Sequence, residues 1–178
     1  MQVNSIFESN LENISVNGKS FTVIKLLGKG KGGYSYLVSD GSGRFVVKQI
    51  HHEPCDYYAF GDKFAAELSD YTKLKSAGVP MPELIAGDAA CERILKEYID
   101  GQTAAELISR GKLAPKLLHQ MLALSEKLRA VGLNIDYYPT NFVLQSGTLY
   151  YIDYECNPYS DEWSFENWGI EYWRCSPD

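Results

Sequence analysis

The chain has 178 residues, enough for one domain with a sizeable core, and its 45% hydrophobic and 22% charged residues are those of an ordinary globular protein. A formal net charge of −6, with a pI near 5.1, excludes a basic stripe for nucleic-acid phosphates. No run has the length of a membrane span, and the opening MQVNSIFESNLEN lacks the basic and apolar segments of a signal peptide, so a cytoplasmic protein is expected.

The first third is punctuated like a series of strands. ISVNGKSFTVIKLL carries an Asn17-Gly18 turn between β-prone runs. GYSYLV and RFVVKQI are two further strands joined by the turn SDGSG. Next, Phe64, Leu68, Tyr71 and Leu74 recur at helical spacing, with Gly78 as the stop and Pro80 blocking continuation. RILKEYI reads as a buried strand, and Thr103 to Glu106 as a capping box that opens a short helix. From Ala114 onward, Leu117, Met121, Leu124, Leu128 and Val131 form an apolar stripe ended by Gly132. NFVLQSGTLYYIDYE is a hairpin around Gln145-Ser146-Gly147, and SDEWSFENWGIEYW is expected to be helical. The order is α+β with a division near residue 98. Cys55, Cys91, Cys156 and Cys175 show no CxxC spacing and read as reduced thiols, and His51, His52 and His119 form no ligand pattern.

Three constellations carry chemistry. The first is GxGxxG at Gly28, Gly30 and Gly33. A dinucleotide-binding fold would open a helix at the last glycine, whereas this one opens a strand, and no Gly-Lys-Ser/Thr closes a P-loop. What remains is a hairpin that is either a flexible tip or a backbone able to approach polyphosphate closely. The second is Lys48 in a buried strand together with Glu67 at the border of a helical stripe. Either the two answer each other's desolvation, or both side chains reach water. The third is Asp136, Asn141 and Asp153, bracketing Pro139 and a hairpin that brings its ends together. An amide and a carboxylate oxygen, with phosphate oxygens and water, form a set that Mg²⁺ accepts. Each residue singly is also an ordinary turn cap.

In that order the motifs resemble the protein-kinase-like superfamily over most of the chain. GKGKGGYSYLV resembles its nucleotide-covering loop, VVKQI its lysine strand, and Glu67 the glutamate of its first large helix. KEYIDG resembles the hinge, IDYYPTN the catalytic loop, and YIDYE the metal-binding Asp motif. The resemblance implies a two-lobed α+β fold in a single kinase-like domain, with a β-rich N-lobe holding one helix over residues 1–97. A shortened α-rich C-lobe would occupy residues 98–178, because 25 residues follow Asp153.

The resemblance also implies ATP and Mg²⁺ as cofactors and transfer of the γ-phosphoryl group to a hydroxyl of a protein or small molecule. In those roles Gly28, Gly30 and Gly33 cover phosphates, Lys48 holds them and Glu67 positions Lys48. Glu97 and Tyr98 offer hinge backbone to adenine, Asn141 and Asp153 hold the metal, with Glu155 assisting, and Asp136 orients the acceptor. Asn134 stands where the family usually has His, Tyr138 where protein kinases place Lys, and IDYE in place of Asp-Phe-Gly. The last two lean toward the aminoglycoside and choline phosphotransferase branch. Lys96 replaces an apolar residue at the back of the nucleotide pocket, and Asn167 replaces an Asp in the segment that anchors the catalytic loop. Two other functions are compatible with these departures: a nucleotide-binding pseudokinase serving as a regulatory module, and an interaction domain without nucleotide. Trp163, Phe165, Trp168, Tyr172 and Trp173 either cap the reduced lobe or form a partner or dimer surface.

Overall fold

The computed structural model describes residues 11–53 and 61–174, so Cys55, Cys175 and residues 1–10 lie outside the described residues. The chain divides into two compact units, Met1–Ala66 with Glu83–Tyr98, and Glu67–Pro82 with Ile99–Asp178.

The first unit is built on one antiparallel sheet. β1 (Asn13–Val16) and β2 (Lys19–Lys29) are joined by Asn17-Gly18, both in the left-handed conformation (φ 49° and 80°) that matches a two-residue turn to strand twist. β3 (Gly33–Ser39) and β4 (Arg44–Ile50) continue the meander through SDGSG, where Asp40 Oδ1 accepts the amides of Ser42 and Gly43. β5 (Leu84–Asp88) and β6 (Arg93–Glu97) complete a six-stranded sheet in the order β1-β2-β3-β4-β6-β5. The sequence pattern does not signal β5. Only Asp88 of its five residues is buried, so no apolar alternation marks it. Phe21, Tyr34, Tyr36, Val38, Val47 and Leu95 share one core with Ile14 and Val16, each fully buried side chain contributing about 1.5–3 kcal/mol.

The helix α1 (Lys63–Ser76) begins in the first unit and ends in the second. It stops where expected: the Gly78 amide donates to the Lys75 carbonyl at 3.0 Å and the Val79 amide to Leu74 at 3.1 Å. In the second unit β7 (Gln102–Thr103) leads into α2 (Ala104–Ser109). The expected capping box closes there, Glu106 N–H on Thr103 Oγ1 at 3.1 Å and Thr103 N–H on Glu106 Oε2 at 2.9 Å. α3 (Pro115–Ala130) buries Leu117, Met121, Leu124 and Leu128. Val131 departs from the expected stripe. The helix ends one residue earlier and the cap leaves its side chain 54% exposed.

Beyond α3, β8 (Leu133–Asn134) pairs with a later β11 (Asn157–Pro158), and between them run β9 (Phe142–Gln145) and β10 (Thr148–Tyr151). The hairpin β9–β10 pairs with β7 to form a three-stranded sheet. The helix expected over SDEWSFENWGIEYW is instead two 3₁₀ turns, Asp161–Trp163 and Gly169–Trp173. Ser164 separates them, its hydroxyl bonding the Asp161 carbonyl while its own carbonyl takes the Trp168 and Gly169 amides. Burial of Phe165 and Trp173 overrides helical periodicity in a run of weak helix formers. Among the described residues no helix is long and apolar enough to cross a membrane.

Candidate functional site

The chemistry-bearing residues fall into two groups, one on each unit. In the first unit the glycine hairpin joins β2 to β3. Gly33 lies against the β4 backbone, where a Cβ would overlap the Gln49 carbonyl, so this glycine is demanded by packing. Gly28 has nothing within 4 Å of a Cβ and Gly30 only the Gly33 carbonyl at 3.9 Å, so both leave the backbone open to a ligand. The Gly30 amide closes the turn on the Gly33 carbonyl at 2.9 Å.

The carbonyls of the hairpin tip are tied back. His51 Nε2 lies 3.0 Å from the Gly30 oxygen, and Lys63 Nζ donates to the Lys31 and His51 carbonyls at 3.3 and 2.7 Å. With the Gly30 and Lys31 oxygens engaged, fewer carbonyls of the tip are left to repel an anion. Lys63 was not singled out from the sequence, because its spacing looks like that of any first-turn helical lysine.

Lys48 lies in the middle of β4 opposite Ser35 on β3 and Ile94 on β6, and it is buried. Strand alternation puts it on the face of Val46 and Ile50, opposite the face on which Val47 joins the apolar core. Lys96 is buried on the same face, since it pairs with Val46. Two ammonium groups on one buried face favour anionic company there. At the end of β6, the Glu97 amide donates to the Glu83 carbonyl at 2.9 Å, so this N–H is already engaged. The Tyr98 ring lies 5.1 Å under the Arg44 guanidinium.

The second group is held by buried aromatics. Tyr137, Phe142 and Tyr154 are fully buried, and each directly follows one of the polar residues Asp136, Asn141 and Asp153. Each ring fixes its stretch of backbone and leaves the preceding side chain at or near the surface: Asp136 exposed, Asn141 and Asp153 half-buried. The 3₁₀ turn Pro139–Asn141 then brings the polar groups together. Asn141 Nδ2 donates to the Asp136 carbonyl at 3.3 Å, and the Ile152 amide donates to the Asn141 carbonyl at 2.9 Å, with Asp153 next in the chain. Asp136 Oδ1 accepts the Tyr138 amide at 3.0 Å, and Asp153 Oδ1 accepts the Tyr154 amide at 2.9 Å. With its Nδ2 committed, Asn141 keeps its amide oxygen for a cation. That oxygen and the Asp153 carboxylate are the hard donors suited to Mg²⁺. Glu67 belongs to this unit by compactness and is half-buried.

Two supporting residues escaped the sequence. Tyr151 is fully buried and its hydroxyl donates to the Glu155 carbonyl at 2.9 Å, with the Asp136 backbone also in bonding reach. Burial first, then the charges of Asp153, Glu155 and Asp136, hold this phenol well above its ordinary range, so it remains a donor. Trp173 Nε1 donates to the Tyr137 carbonyl at 2.7 Å in a fully buried contact. Trp173 therefore anchors the Asp136 loop. Asn167, expected in that role, serves its own turn by donating to the Asp161 carbonyl at 2.8 Å. Tyr151 could have been sought as the buried alternate of the hairpin, but nothing local marks Trp173. Asn134 is buried with Nδ2 on the Ser160 carbonyl at 3.2 Å, and its Oδ1 finds no partner among the described residues.

No family model matches the chain, and no curated protein matches it. Among solved structures it is similar to a crystal structure of the PknI kinase domain of Mycobacterium tuberculosis, a cysteine-to-alanine mutant. The two are 20% identical with a TM-score of 0.53, and the match covers 82% of this chain. The fold is protein-kinase-like. It is α+β, with a β-rich first unit, and the match covers 62% of that kinase domain.

Proposed function

We propose that the chain binds ATP with Mg²⁺ and transfers the γ-phosphoryl group to a hydroxyl of a protein or small molecule. The observation that carries this is the turn that draws Asp136, Asn141 and Asp153 together: Asn141 Nδ2 donates to the Asp136 carbonyl, and the amide of Ile152, the residue before Asp153, donates to the Asn141 carbonyl. The protein-kinase-like fold supports it. Amides of the glycine hairpin and the Lys48 ammonium would take the phosphates, and Asn141 and Asp153 would hold Mg²⁺, which neutralises charge on the transferring group. The acceptor oxygen attacks phosphorus, the bond to the β–γ bridging oxygen breaks, and ADP leaves. The acceptor proton passes to Asp136 Oδ2, since Oδ1 accepts the Tyr138 amide.

A second reading, a nucleotide-binding pseudokinase, draws on Asn134, whose buried Oδ1 meets no donor among the described residues, in the place where the family has His. Turnover separates the two. Mg-ATP at about 100 times its Kd should raise stability by roughly 2.7 kcal/mol in a thermal-shift titration. Labelled ATP should then give autophosphorylation or slow hydrolysis, abolished by Asp153→Ala and lowered about a hundredfold or more by Asp136→Asn. A nucleotide shift without turnover would leave the pseudokinase. Equal turnover in parent and variants would remove Asp136 and Asp153 from the mechanism.

A further inference from the structure

The second unit displays a run of aromatic rings that its core does not use. Ring centroids of Trp163 and Trp168 lie 5.7 Å apart, Trp168 and Tyr172 5.1 Å, and Tyr172 and Tyr138 5.0 Å. Trp163 is 52% exposed and Tyr138 and Tyr172 each 43%, whereas Phe165 and Trp173 of the same segment are fully buried. Capping is thus done by the last two, and the outer rings form a contiguous patch of the kind that marks recognition. One end of the patch is Tyr138, whose amide is bonded to the Asp136 carboxylate.

The charge around this patch is one-sided. Residues 153–173 contain six carboxylates, Asp153, Glu155, Asp161, Glu162, Glu166 and Glu171, and no Lys or Arg. Arg129 and Arg174 answer Glu166 and Glu171 at 2.8 and 3.1 Å, and Arg129 also acts on Asp161, so among the rings the four carboxylates Asp161, Glu162, Glu166 and Glu171 meet two positive charges. Aromatic faces carry negative quadrupoles, so rings and carboxylates select the same partner, a cation. A second copy of the chain is disfavoured, because a symmetric contact would set these carboxylates against each other. The run of four rings is longer than one ammonium group and suits an extended peptide, which advances about 3.3 Å per residue.

We propose that this strip docks a basic, Arg- and Lys-bearing protein segment. Its role as the platform that presents a hydroxyl to Asp136 rests on the phosphotransfer reading above, whereas the docking itself does not.

The test uses the full chain and a fluorescein-labelled nine-residue peptide with four arginines and one serine, followed by anisotropy. Binding should weaken about tenfold or more in the Trp163→Ala/Tyr172→Ala double variant and again in Glu162→Lys. A control peptide with glutamates for arginines should not bind. Both variants alter exposed side chains, and circular dichroism should show them folded, with the Mg-ATP thermal shift of the parent. The proposal is overturned by no binding up to about 1 mM peptide, or by undiminished binding in the double variant. Equal competition by spermidine, which would indicate a small polyamine, also overturns it, as does a dimer in sedimentation that the double variant abolishes. Peptide binding that persists without any nucleotide shift would remove the phosphotransfer reading and leave the docking strip.

Discussion

The two groups of candidate residues, one on each unit, are held in different ways. In the first unit, Lys48 and the glycine hairpin take their positions from the strand ladder. Lys48 is clamped by register on both sides, and Gly33 touches the neighbouring backbone. In the second, Asp136, Asn141 and Asp153 sit on irregular backbone and are located by buried aromatics and a few directed hydrogen bonds. A ladder positions a side chain through many repeated bonds, so one lost side chain matters little. An irregular loop depends on individual anchors, and losing one is felt locally.

Substitutions sharpen this contrast, beginning with the largest effect. Gly33→Ala forces a methyl into the Gln49 carbonyl and should cost about 3 kcal/mol or more in denaturant unfolding. An unchanged midpoint would mean that β3 and β4 are not in this contact. Trp173→Phe removes the buried bond to the Tyr137 carbonyl and should cost about 2–3 kcal/mol. It should also lower turnover, because the Asp136 loop loses its anchor. Tyr151→Phe loses the hydroxyl contacts with the Glu155 carbonyl and the Asp136 backbone and should cost about 1 kcal/mol. At the small end, Gly28→Ala should stay within about 0.5 kcal/mol of the parent while weakening nucleotide binding, since its Cβ enters open space. Loss of stability there would show that the hairpin is packed where it is expected to be open.

Alkaline pH probes two buried groups of the second unit. Burial pushes the Cys156 thiol from 9.0 up to about 12 and the Tyr137 phenol from 10.0 up to about 12. Both stay protonated in the folded chain while the unfolded chain ionises, so the folded state binds more protons. Stability is therefore full below pH 9 and falls as pH rises toward 12. Thermal melting across that window should show the fall, and Cys156→Ser should make it shallower. An unchanged slope in that variant would place the effect elsewhere.

Much of the fold was legible because its signals are local. The Asn17-Gly18 turn, the Thr103/Glu106 capping box and the Gly78 stop need only a few neighbouring residues, and all three form as read. β5 and the 3₁₀ character of the last segment were not legible. An edge strand with one buried residue borrows its structure from β6, and the aromatic segment takes its backbone from where Phe165 and Trp173 are buried. Within the candidate site, residue types and order singled out Asp136, Asn141 and Asp153, which the Pro139–Asn141 turn and the following hairpin bring near one another. The contacts of Tyr151 and Trp173 beside them, and of Lys63 at the glycine hairpin, reach groups that lie 4, 36, and 12 and 32 residues away in sequence.

The sequence by itself determined the inventory: strands before helices, a glycine hairpin, a lysine in a strand, and two carboxylates with an amide around a proline turn. Those features follow from periodicity and turn chemistry, which act over a few residues. Only the tertiary structure decided that Gly33 serves packing while Gly28 stays open, that Trp173 and not Asn167 holds the Asp136 loop, and that Trp163, Tyr172 and Tyr138 remain exposed with Trp168 half-buried between them. Each of these depends on which distant backbone arrives at a given side chain, and close packing settles that for the whole unit at once.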